Sequence, residues 1–180
     1  MLAGGLQTAL PANSPLQQQM ITLEQTTGNV IREMRALLLE LRPPQTERGS
    51  LSENLRDLTT AYRTRLNITI TVDIVDVSLP ASAEDALLRI AQEALANAVR
   101  HANASAITLS LVPHTSKVEL TITDNGVGFE PDGQDVQHGL GLRLMRERVQ
   151  ELNGTFQLTS VLGEGTRIQV CLPFQEKNDD

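Results

Sequence analysis

From Leu16 onward the apolar positions Leu16, Met20, Leu23, Val30, Met34, Leu37 and Leu41 recur in alternating steps of four and three, with Thr27 the one polar residue on the seam. A heptad of this kind predicts a long helix that pairs with others. Ile31 and Leu38 widen the stripe to that of a bundle helix with two neighbours, which a four-helix dimer would supply. Ahead of it, Pro11-Ala-Asn-Ser-Pro15 is a turn cluster and residues 2–10 read as the stub of an earlier helix. Pro43-Pro44 ends the long helix and the polar residues 45–50 make a linker, so residues 1–43 form one unit and residues 44–180 a second.

Past the linker the period changes. Leu51, Leu55, Leu58 and Leu66 predict a helix that Ser50 or Ser52 can cap. Ile68, Ile70, Val72 and Ile74 then alternate as a strand does. A second helix runs from near Ala83 to near His101. The alternations Ile107/Leu109/Leu111 and Val118/Leu120/Ile122 predict a hairpin with a short polar loop. Residues 125–141 hold five glycines and are too long for an ordinary connection, so a loose lid is expected there. A helix over about 140–152 follows, and Phe156/Leu158 with Ile168/Val170/Leu172 supply a last strand pair around Gly163-Glu-Gly-Thr166. The fold class is α+β: a two-layer α/β sandwich, a mixed sheet covered by helices, preceded by a long dimerisation helix.

Composition narrows the partners. Forty per cent of the 180 residues are hydrophobic, enough for one domain and an accessory segment, and 2% aromatic with no tryptophan makes the core aliphatic. A net charge of −7 leaves no general attraction to phosphate backbones or anionic membranes, so neither nucleic acid nor a membrane is an expected partner of this chain. The single Cys171 lies on the strand face opposite Ile168, Val170 and Leu172 and reads as a strand residue. It fits a reducing compartment, and a cytoplasmic location is expected.

Candidate chemistry begins in the second predicted helix. Glu93 and Asn97 are four residues apart and share a face, although an ordinary solvated polar face accounts for the pair equally well. Asp124-Asn-Gly126-Val-Gly128 ends a strand with a carboxylate and two glycines, where a backbone can pass close to a ligand; a plain Asp-Asn-Gly turn is the alternative. Asp124 could accept a hydrogen bond from the exocyclic amine of adenine, which guanine replaces by oxygen. Gly139-Leu140-Gly141-Leu142 opens a helix, where free amides and the helix dipole favour phosphate oxygens. It is neither a Walker loop nor a Rossmann turn.

In order along the chain, Glu93-x-x-x-Asn97, Asp124-x-Gly126-x-Gly128, Gly139-x-Gly141 and Gly163-x-Gly165-Thr166 resemble the boxes of the gyrase/chaperone/histidine-kinase ATPase superfamily, whose fold is the Bergerat-type ATP sandwich. The wording Gln92-Glu-Ala-Leu-Ala-Asn-Ala-Val-Arg-His-Ala102 and Gly139-Leu-Gly-Leu-Arg-Leu-Met-Arg-Glu-Arg-Val149 is similar to the nitrate-sensor and membrane-fluidity-sensor class of sensor histidine kinases. In that class a dimerising helical hairpin ending in Leu-Arg-Pro, here Leu41-Arg42-Pro43, leads into the ATPase domain. The resemblance implies ATP and Mg2+ as cofactors, with Asn97 as the side-chain ligand of the metal and Glu93 supporting it through water. It further implies Asp124 on the adenine amine with a water held by Thr166, Gly126 and Gly128 shaping the pocket, and Gly139 and Gly141 bracketing the triphosphate beside Leu140 and Leu142. Arg100 and His101 would reach phosphate oxygens or serve their own helix terminus.

The partners it implies are a second copy of the chain, through the hairpin, and the receiver domain of a response regulator. Two departures matter. Leu144 stands where the class often has glycine, and no histidine precedes His101, whereas the class phosphorylates a histidine on the first hairpin helix. The expectation is a chain that begins inside the hairpin of a longer protein, with any membrane anchor in regions outside this chain. It should bind ATP without phosphorylating itself. An anti-sigma-factor serine kinase, which would lack the heptad helix, and a non-catalytic regulatory module are the competing readings.

Overall fold

In a computed structural model of the chain, residues 15–40, 49–66, 68–130 and 140–173 are described. The expected helical stub at residues 2–10, the Leu-Arg-Pro end of the hairpin, residues 45–48 of the linker and Gly139 lie outside them. Helix α1 (Pro15–Glu40) precedes α2 (Leu51–Leu66), β1 (Thr69–Ile74), α3 (Ala81–Arg100), β2 (Ala106–His114), β3 (Lys117–Asp124), α4 (Leu140–Glu151), β4 (Thr155–Val161) and β5 (Gly165–Pro173). Every expected element within the described residues is present.

The five strands form one mixed sheet in the order β1-β2-β3-β5-β4, with β1 and β2 parallel and the other pairs antiparallel. Period-two alternation sends Ile107, Leu109 and Leu111, Val118, Leu120 and Ile122, and Ile168, Val170 and Leu172 to one face, all nearly inaccessible to solvent. Helices α2, α3 and α4 cover that face, contributing Leu55, Leu87, Ile90, Leu95, Met145 and Val149 to the same core. Cys171 lies on the opposite face, half-buried beside Lys117 and Glu119, as its phase in β5 requires.

Local chemistry sets the boundaries. Ser50 caps α2: its hydroxyl accepts from Glu53 N–H at 3.3 Å while the Glu53 carboxylate accepts from Ser50 N–H at 2.9 Å. Ser52, the other candidate cap, is buried inside the helix and donates to the Val75 carbonyl. Strand β2 runs on through Pro113 to His114, further than the apolar alternation indicates. Proline is accepted there because β1 stops pairing at Leu111, so no neighbour on that side needs an N–H from residue 113. On the outer edge of β1, Arg63 donates through Nε to the Ile70 carbonyl at 2.8 Å and Arg56 through Nη2 to the Ile74 carbonyl at 2.9 Å.

Helix α1 runs against α3 and α2. Much of its seam is exposed within the chain: Leu16, Leu23, Val30 and Met34 and the flanking Ile31 are all open to solvent. Among the described residues, no helix is long and apolar enough to cross a membrane.

Candidate functional site

Helix α3 builds one wall of a cavity of about 570 Å³. Its Leu87, Ile90 and Leu95 face the sheet, and the rotation of 100° per residue brings Glu93 and Asn97 round to the cavity. Between them the wall is small: Ala94 and Ala98 stop at Cβ and leave the space open. The polar stripe that could have been a solvated face is therefore the lining of a pocket. The opposite wall is made by Asp124, Gly128, Thr166 and Ile168, and α4 closes the end with Leu140, Gly141, Leu142 and Leu144. Arg100 and His101 line the same cavity at the last turn of α3, where His101 N–H donates to the Asn97 carbonyl.

Asp124 ends β3 with its side chain buried, and burial pushes its carboxyl above the usual aspartate range. Backbone N–H groups of Gly126, at 2.8 Å, and of Thr166 partly offset this by donating to the carboxylate. The Thr166 hydroxyl is within 3.0 Å of Ser160 Oγ, which accepts from Phe129 N–H at 2.9 Å and lies 3.0 Å from the Gly165 carbonyl. Asn125 accepts from the N–H groups of Ser105 and Ala106 at 3.0 and 2.9 Å and so fastens the end of β3 to the loop after α3.

The expected loose lid is corrected at both ends. Residues 125–130 are pinned by the Asn125 contacts, by Val127 N–H on the Ala102 carbonyl at 2.8 Å and by Gly163 N–H on the Val127 carbonyl at 2.7 Å. Leu140 and Gly141 belong to α4. Residues 131–139, with Gly139 and His138, lie outside the described residues.

The glycines divide by task. At Gly128, φ is +59° and a Cβ would overlap the Val161 carbonyl, so this residue lets the β4–β5 turn lie against the pocket floor. Gly126 is not on the cavity surface; a Cβ there would collide with Ala102, which makes it a packing residue behind the wall. At Gly141 an added Cβ would meet the Glu93 carboxylate, so a side chain there would displace the end of Glu93.

A conserved-domain profile described as histidine kinase-, DNA gyrase B- and HSP90-like ATPase matches residues 82–176, from the start of α3 to just past β5. The chain belongs to this family. All the residues that line the cavity fall within the matched segment. Sensor protein VraS of Staphylococcus haemolyticus is 38% identical over the full chain, which covers 51% of that protein. Sensor protein VraS of Staphylococcus aureus strain COL is 38% identical over 91% of the chain and 47% of its own length. The chain therefore spans about half the length of the curated relatives it matches. Among solved structures, the histidine kinase domain of the Erythrobacter litoralis EL346 blue-light activated histidine kinase superposes with a TM-score of 0.62 at 21% identity, covering 95% of this chain and 90% of that one. That likeness bears out the α/β sandwich.

Two residues that brace the cavity walls escape motif reading, Asn125 and Ser160. Ser160 had a legible trace: it falls on the inward phase of Phe156 and Leu158, where an apolar residue is expected. Asn125 had none, because its partners at Ser105 and Ala106 are set by tertiary structure.

Proposed function

We propose that this chain is the ATP-binding catalytic part of a two-component sensor histidine kinase, acting in the cytoplasm. One observation carries the reading: a single cavity collects Glu93, Asn97, Asp124, Gly128, Gly141 and Thr166 from four separate boxes of the sequence. The sensor proteins among the relatives and the histidine kinase neighbours support it.

In this reading Asp124 accepts from the adenine amine, Thr166 holds a water beside it, and Gly128 lets the backbone approach the base. Arg100 and His101 meet phosphate oxygens, and Gly139 and Gly141 flank the triphosphate. The donor set fits magnesium. Among the described residues no three His, Cys, Asp or Glu cluster as a cage, while one amide, Asn97, and one carboxylate, Glu93, stand on the same wall. An ion that takes most of its ligands from phosphates and water needs no more than this. Bound there, magnesium would neutralise charge across the phosphates; Asn97 would be its direct ligand and Glu93 would orient a water on it. The phosphoryl acceptor is a histidine on another helix, and the aspartate of a response regulator receives the group next. The exposed apolar seam of α1 supports pairing with a second copy.

Incubation with γ-labelled ATP and magnesium is expected to show binding without acid-labile label, because no histidine precedes His101 and phosphoryl transfer depends on an acceptor held in line. Stoichiometric phosphohistidine mapped to His101, His114 or His138 would overturn this account. Asn97→Ala should abolish the magnesium dependence of ATP affinity and leave adenosine binding intact. Titrations of both ligands with and without the metal check this; equal losses for the two would mean a damaged helix rather than a lost ligand.

A further inference from the structure

A second, smaller cavity of about 200 Å³ adjoins the first between α3 and α4. It shares Glu93, Gly141 and Leu144 with the nucleotide cavity and adds two arginines, Arg89 from α3 and Arg148 from α4. Its place follows from the helix. Val127 N–H on the Ala102 carbonyl puts the Asp124 loop at the C-terminal end of α3. Stepping back from Ala102 through Asn97 and Glu93 to Arg89 moves roughly 20 Å along the axis at about 1.5 Å per residue. Arg89, Glu93 and Asn97 are spaced by four and share one face, so the arginine cavity lies at the end of the site away from Asp124.

Resting on the nucleotide reading above, we infer that Arg89 and Arg148 form a subsite for the terminal phosphoryl group of the bound nucleotide. Both guanidinium groups converge on one carboxylate, Asp85: Arg89 Nε lies 3.6 Å from Oδ1 and Arg148 Nη1 3.9 Å from Oδ2. These separations are too long for good hydrogen bonds, and all three side chains are partly exposed. Such pairs contribute little to stability, so turning either arginine toward a phosphate costs little. Two cations share the single charge of Asp85, which stands behind the cavity, while Glu93, the carboxylate in its wall, serves the magnesium side of the site. One positive charge is left over in a chain of net charge −7. The planar fork of arginine matches phosphoryl oxygens, and a donor placed beyond Glu93 meets a group that ATP carries and ADP lacks.

Calorimetry with ATP and with ADP, each with magnesium, tests this on the whole chain. Arg89→Ala and Arg148→Ala are each expected to lower ATP affinity about tenfold while ADP affinity stays within about twofold, as loss of one charge-assisted contact predicts. Arg89→Lys should recover part of the loss, since charge returns without the fork. Asp85→Asn, which frees both arginines, should raise ATP affinity relative to ADP. Parallel losses for ATP and ADP in the alanine variants would show that the residues only tether α4 to α3, and unchanged ATP affinity would exclude the contact; either result overturns the subsite. A wild-type chain that binds ADP and ATP equally overturns it as well, leaving the nucleotide reading standing. One that binds neither overturns that reading and the subsite together.

Discussion

Asp124→Asn is expected to weaken ATP binding by about ten- to a hundredfold, the value of a buried hydrogen bond to a charged acceptor. The Asp124 carboxylate already takes the N–H groups of Gly126 and Thr166, which leaves its remaining lone pairs for the pocket. An asparagine has one oxygen where aspartate has two. If that oxygen stays with the backbone donors, the amide NH2 faces the adenine amine, donor against donor. If the amide flips, the NH2 faces Gly126 N–H instead. Folding should suffer far less than binding. Burial raises the Asp124 pKa in the folded chain, so its contribution to stability is fully present below the unfolded value near 3.8 and is lost as pH rises through the folded value. At neutral pH the wild type therefore carries an unfavourable buried charge that asparagine removes. Calorimetry with ATP and thermal melting at pH 7 separate the two effects. Unchanged affinity would remove Asp124 from the base-recognition role.

Gly165→Ala is expected to destabilise the domain by about 3 kcal/mol or more, lowering the melting temperature by roughly 6–12 °C in a chain of this size. The residue has φ of +96°, and a Cβ there would run into the Asp124 carbonyl and come within 3.0 Å of Asn125 Cα, both fixed backbone atoms of the β3 exit. Gly163, two residues earlier, is the internal control. Its φ is +81°, yet a Cβ would meet nothing within 4 Å, so Gly163→Ala should cost only backbone strain, about 1 kcal/mol. Melting curves of the two variants distinguish close approach from conformation. Equal losses would mean that strain alone makes glycine necessary in this turn.

Much of this was readable from the chain. Strands announced themselves because one face of the sheet is buried and the other is not, and α3 did so because Leu87, Ile90 and Leu95 recur at helical spacing, with Glu93 and Asn97 on the adjoining surface. The four boxes could be ordered along the sequence. Their meeting in space could not be derived, since nothing local dictates that β5 inserts between β3 and β4 or that β1 joins β2 in parallel. The flanks of the lid were misjudged for a related reason. Glycine content signals freedom in an isolated segment, whereas Val127 and Phe129 are held by Ala102, just past α3, and by Ser160 of β4, both distant in sequence. The same limit hid the neighbour of Gly141, the Glu93 carboxylate from 48 positions earlier.

The guanidinium groups of Arg56 and Arg63 on the Ile74 and Ile70 carbonyls bear on solubility. An open strand edge is a template for further strands, and a row of free carbonyls is what an incoming chain would recognise. A newcomer at β1 would have to evict two arginines and strand their charges, including the one that Arg56 shares with Asp76. That side of the sheet is thereby closed to runaway growth, so chains brought together by the pairing proposed along α1 would share a helical contact without their sheets fusing edge to edge.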